Sequence, residues 1–254
     1  MRTAALLLAI TFPAASATLS EVEFIGFSHD GSLACFGQYW TEDGSGFPGA
    51  EMRIVSVAED STVRVFEAGW TEEDFYGGDD PYRAFEGTGN PAWDEVLAES
   101  GPFLDSVGIS GAHRGFHCIC HLPSDTGVDP WRASFATWIW SPLYIGPEYN
   151  LSLLLHPAEI ENPPDWLSMF GEPVALELFI EDGDGRRVMH RADREGVPAP
   201  GYEYVLDYRI RDVYVFSDSM VAIVLSTSVP GFEGPDGMHR MVTGMLDSHP
   251  GPGY

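Results

Sequence analysis

The sequence predicts a mainly β protein made of antiparallel sheets, as a sandwich or an incomplete propeller-like array, with one short helical segment near residues 91–107. Three observations carry that expectation. Asp-Gly pairs recur at Asp30-Gly31, Asp43-Gly44, Asp182-Gly183, Asp184-Gly185 and Asp236-Gly237, and such pairs supply the positive φ angles of tight hairpins. Between them lie runs of strand length, rich in β-branched and aromatic residues, where helical spacing is absent. Helical spacing is confined to one stretch.

In chain order the candidate strands are "VEFIGF", "SLACFGQYW", "EMRIVSV" and "STVRVFEA", then "GFHCICHL", "ASFATWIW", "YNLSLLL", "VALELFIE", "YVLDYRIRDVYVF", "MVAIVLSTSV" and "HRMVTGM". Short connections between such runs favour antiparallel pairing. The acidic, Gly-rich "TEEDFYGGDDPYRAFEGTG" reads as a long surface loop before the helix. In "NPAWDEVLAESGPFLDSVGI", Asn90 can cap the helix and Pro91 suits its first turn, while Trp93, Val96, Leu97 and Leu104 recur along one face. Gly101-Pro102 is expected to end or kink it.

The leading "MRTAALLLAITFPAASATLS" carries Arg2, an apolar run from Ala4 to Phe12 and the small triplet Ala15-Ser16-Ala17, the layout of a secretory signal. Its apolar run falls well short of the roughly 20 residues a membrane span needs. The expected division is a signal peptide over 1–17, one secreted β-rich domain over 18–246 and a loose tail over 247–254. The protein is expected to be periplasmic or secreted, without membrane insertion. All 13 basic residues are arginine, against 39 acidic ones, for a net charge of −26. That field repels phosphate backbones and anionic lipid, which excludes nucleic acid as a partner.

The stretch "HRGFHCICH" packs three histidines and two cysteines into nine residues. In a regular strand His117, Ile119 and His121 would face one way and Cys118 and Cys120 the other. Cys-x-Cys on a strand cannot wrap an ion as zinc-binding turns do. No metal or other cofactor is therefore expected, with His117 and His121 kept as the alternative pair. Cys35 is the expected disulfide partner of Cys118 or Cys120 in an oxidising compartment; buried free thiols are the other account. "EDGDG" lacks the later oxygens of a calcium loop and reads as a hairpin turn. Trp138 and Trp140 on one strand face are either core or a stacking platform. No nucleophile elbow or paired-histidine metalloprotease motif is present.

Two long strings, "FIGFSHDGSLACFGQYWTEDGSGFPGAEMRIVSV" and "YRIRDVYVFSDSMVAIVLSTSVPGFEGPDGMHRMVTG", resemble the opening and closing portions of a bacterial family of predicted secreted proteins, domain of unknown function 2259. The resemblance implies a single module of family length and brings no activity. It directs attention to Asp43 through Pro48 and to Gly231 through Asp236. In both motifs an aromatic sits between glycines beside acids. The expected recognition surface therefore contains Asp43, Phe47, Phe232, Glu233 and Asp236, and suits a cationic or polar partner. The function expected is a non-catalytic binding or interaction module whose partner is an unidentified envelope protein or polar ligand. A metal-dependent or hydrolytic enzyme using His117 and His121 is the alternative.

Overall fold

The computed structural model describes residues 17–76, 89–122, 124–137, 139–141, 144–160, 162–191, 204–217, 219–231 and 234–246. Strands β1 (Glu21–Phe27), β2 (Leu33–Thr41), β3 (Pro48–Ser56) and β4 (Ser61–Gly69) form an antiparallel meander. After a short helix α1 (Glu72–Tyr76) comes α2 (Pro91–Val107), then β5 (Phe116–Cys120) and β6 (Arg132–Ala136). Strands β7 (Ile139–Ser141) and β8 (Tyr144–Ile145) pair with each other. A second sheet has the order β11-β10-β9-β6, from β9 (Glu148–Pro157), β10 (Val174–Asp182) and β11 (Gly185–Arg191). A third has the order β14-β13-β12-β5, from β12 (Asp207–Phe216), β13 (Met220–Pro230) and β14 (Pro235–Met245).

Alternation along the third sheet explains how the layers stack. Val221, Ile223 and Leu225 of β13 pack with Leu151, Leu176 and Leu178 of the second sheet, whereas Ala222 packs with Phe24, Phe36 and Val55 of the first. The third sheet is thus covered on both faces, which is why "MVAIVL" reads as an unbroken apolar run. Burying each such large side chain stabilises by about 1.5–3 kcal/mol. On its far side the first sheet buries Cys35, Met52 and Ile54 under Trp93 and Val96 of α2. The order of layers is helix, first sheet, third sheet, second sheet.

Four expectations are corrected. Helix α2 runs through Pro102 to a left-handed cap at Gly108. The carbonyl that loses its partner belongs to Ala98, and both residues lie on the exposed face, where water can reach it. Leu97 is also exposed, so the buried face is Trp93, Val96 and Leu104. The stretch "GRRVMHR" forms β11, which its charge concealed. Within the expected loop over residues 71–89, Glu72–Tyr76 form helix α1. Residues 77–88 of that stretch, the side chains of Trp138 and Trp140 and the tail over 247–254 lie outside the described residues.

Candidate functional site

Strand β5 lies at one end of the third sheet, paired with β12. Gly115, with φ +70°, brings it in: a Cβ there would stand 2.3 Å from the Val215 carbonyl oxygen. The register runs Cys120 to Asp212 and Ile119 to Val213, then jumps so that His117 faces Tyr214. Cys118 is the extra residue of a bulge. A bulge reverses facing, so His117 and Cys120, three apart, come to the same side. Asp212 and Tyr214, two apart on β12, join them there.

His117 Nε2 lies 2.8 Å from Asp212 Oδ1. A nitrogen of His117, the sulfur of Cys120 and an oxygen of Asp212 all lie within 4.8 Å of one another. The His117 ring stacks on Tyr214 at 4.3 Å, and Tyr214 stacks on Phe24 of the first sheet at 4.1 Å. The cluster therefore sits at the rim of the contact between the first and third sheets. Asp212 is buried, while His117 and Cys120 are exposed. Burial, then the Asp212 carboxylate, holds the Cys120 thiol above its ordinary range. Burial and then Asp212 likewise push Tyr214 up to about 12. Arg211 Nε approaches Asp212 Oδ2 at 3.5 Å.

His121, the partner expected for His117, is elsewhere: its Nδ1 meets the Ile210 carbonyl at 3.2 Å. The alternation that paired the two histidines fails at the bulge. Asp212 escaped the sequence reading altogether. Its only signal is a carboxylate interrupting the apolar run "VLDYRIRDVYVF", and nothing local says which strand it faces.

The disulfide expectation is also corrected, since all three cysteines are free. Cys35 points into the core under α2, whereas Cys118 packs against the core between the second and third sheets. Burial alone pushes the Cys118 thiol up to about 12.

A second polar cluster joins the first and third sheets. Gln38 Nε2 donates to Glu51 Oε1 at 2.7 Å and to the His239 carbonyl at 3.1 Å, and the His239 amide donates to Gln38 Oε1 at 2.8 Å. Ser20 Oγ lies 2.8 Å from His239 Nδ1. Proton inventory decides what this serine and histidine can do. Arg211 Nη1, which only donates, faces His239 Nε2 at 3.2 Å, so Nε2 accepts and the neutral ring carries its hydrogen on Nδ1. Burial, then the Arg211 charge, lowers the His239 pKa to about 3. The ring thus donates to Ser20 and cannot take its proton, the reverse of what a nucleophilic serine needs.

Of the residues expected to form a recognition surface, Asp43 and Asp236 do meet, around Thr18. The Thr18 nitrogen donates to Asp236 Oδ1 at 2.8 Å, and the Asp43 amide donates to Thr18 Oγ1 at 2.9 Å. Phe47 is half-buried beside them in sequence. Phe232 and Glu233 lie outside the described residues.

The profile of domain of unknown function 2259, described as a predicted secreted protein, matches residues 35–244, which is most of the chain. The chain belongs to this family. Membership spans both Gly-rich motifs and the His117–Cys120–Asp212 cluster together, and it assigns no activity to any of them. No curated protein matches the chain. Among the described residues no helix is long and apolar enough to cross a membrane.

Proposed function

We propose that the protein is a non-catalytic exported binding module whose ligand is a transition-metal ion held by His117, Cys120 and Asp212. One observation carries this: three unlike donors from two strands lie within 4.8 Å of one another at a solvent-accessible sheet edge. An imidazole nitrogen, a thiolate and a carboxylate form the donor set of zinc and its borderline-soft neighbours, not of calcium or magnesium. In a tetrahedral site, bond lengths of about 2.0–2.3 Å put neighbouring donors about 3.3–3.7 Å apart. The 2.8 Å contact between His117 and Asp212 therefore has to open by about half an ångström, well within the reach of a half-exposed imidazole. A cation would replace the Cys120 proton, since a coordinating thiol is deprotonated outright. The strongly acidic chain concentrates cations around the site.

Three protein ligands leave a fourth position for water or a partner's side chain. That opening also favours the second reading, a metal-assisted hydrolase. The binding reading is preferred because the three donors alone carry it, whereas hydrolysis also needs a general acid or base beside the open position.

Zinc titration of the purified protein against a competing chelator tests the proposal. The expected result is one tight equivalent, weakened at least about 100-fold by His117→Ala, Cys120→Ser or Asp212→Asn, beyond the 10–100-fold typical of lost outer-shell groups. His121→Ala should leave it unchanged. Binding that His117→Ala and Cys120→Ser do not weaken, or that His121→Ala weakens equally, would overturn it.

A further inference from the structure

The two Gly-rich motifs converge on Thr18, one at its backbone nitrogen and the other at its hydroxyl. Thr18 is only 7% exposed, and residues 18–20 lie along β14: Gly237 donates to the Thr18 carbonyl at 2.8 Å, and Ser20 donates back to the Gly237 carbonyl at 2.9 Å. The contact is a parallel bridge from Leu19 to Gly237. Asp236 reaches the Thr18 nitrogen because Gly231 has no side chain. A Cβ on Gly231 would stand 2.4 Å from Asp236 Oδ1 and 2.5 Å from Oδ2. The other motif wraps from the far side. Its turn is closed by Gly46 donating to the Glu42 carbonyl and Glu42 donating to that of Phe47, and it aims the Asp43 amide at the Thr18 hydroxyl.

Thr18 is also the residue that follows the small triplet Ala15-Ser16-Ala17. We infer that the Ala17–Thr18 bond is where the signal peptide is removed, and that Asp236 and Asp43 form a receptor for the Thr18 ammonium this releases. Hydrolysis breaks the bond between the Ala17 carbonyl carbon and the Thr18 nitrogen. The hydroxyl of water goes to the carbon and its hydrogen to the nitrogen. The acid's proton then moves to the amine, leaving a carboxylate on the departing signal and an ammonium on the mature chain. The catalyst is the export machinery's peptidase.

An amide nitrogen offers Asp236 one neutral hydrogen. An ammonium offers three and a full positive charge, and such charge-assisted bonds are about twice as strong. Burial and the Asp43 charge disfavour the ionised Asp236 carboxylate, with the Thr18 bonds opposing them. A cation at that nitrogen reverses the balance. Burial of Thr18 also fixes the sequence of events: a peptidase cannot reach this bond once residues 18–20 lie on β14, so cleavage precedes docking. The acidic, glycine-built surface predicted for a cationic or polar partner thus takes the chain's own terminus. The inference stands apart from the metal proposal, sharing no residue with it.

The composition supplies a clean test. With no lysine among its 254 residues, the mature chain's one primary amine is its N-terminus, so reductive methylation reads that group alone. The precursor is exported with its own leader, purified and weighed intact, then methylated in native buffer and in urea. The expected mass is that of a chain starting at Thr18, with native labelling slowed about tenfold or more, as expected for a group exposed only by local opening. Asp236→Asn should remove the protection. A variant processed one residue earlier, starting at Ala17, holds its amine outside the clamp and should label at the urea rate. A different starting residue, or equal wild-type rates in native buffer and urea, would overturn the inference.

Discussion

Two polar clusters on the third sheet make opposite use of a histidine. His239, on β14, is buried and held by Ser20, Gln38 and Arg211; His117, on β5, is exposed and touches a single carboxylate. In the first cluster both ring nitrogens of His239 have a partner, and the result is a joint between sheets. In the second, the strand's end position and its bulge bring three donors together, with His117 and Cys120 exposed and Asp212 buried. The same residue type is structural where a buried donor fixes its tautomer, as Arg211 does for His239, and available for chemistry where none does. Arg211 touches both, with Nη1 toward His239 and Nε toward Asp212.

The sharpest way to break this comparison is to remove Gln38. Gln38→Leu keeps the volume but strands the His239 amide and deprives Glu51 of a donor, so it should cost about 3 kcal/mol in urea denaturation. A loss under about 1 kcal/mol would mean that the cluster is not a joint.

Acid should separate the clusters next. The His239 pKa is lowered from 6.5 to about 3, so between those values the unfolded chain binds a proton that the folded one refuses. Stability contributed by His239 is therefore present above pH 6.5 and lost as pH falls towards 3, at up to about 1.4 kcal/mol per unit. His239→Gln should flatten that part of the stability profile relative to wild type, measured by urea unfolding at successive pH values. A profile unchanged by the substitution would show that His239 titrates normally.

The smallest effect belongs to the edge. His117→Ala loses a half-exposed ion pair and one ring contact, so stability should fall by about 1 kcal/mol or less, while any zinc-induced rise in the melting temperature disappears. A larger loss without zinc would make His117 a structural residue like His239.

Legibility followed the range of the interactions. Strands β1 to β4 could be read because their apolar runs are bounded by turn residues, and Asn90 marked the start of α2 because its side chain caps the Trp93 amide locally. Strand β11 was hidden by charge at the sheet's outer edge. The pairing of His117 with Cys120 was hidden because it depends on a bulge, set by how β5 meets β12. The disulfide expectation failed for a related reason: cysteine count and compartment permit a bridge, but layer order places Cys35 and Cys118 in different cores.

By itself the sequence determined the β class, the place of the helix, the strongly acidic net charge, and the two Gly-rich motifs that also carry the family. Each depends on neighbours within a few residues or on composition. Only the tertiary structure decided that Asp43 and Asp236, 193 positions apart, meet at Thr18, and that Asp212 completes a triad with His117 and Cys120. Those meetings are fixed by register and by the stacking of sheets, where the free energy of a contact is independent of sequence separation and leaves no mark in local pattern.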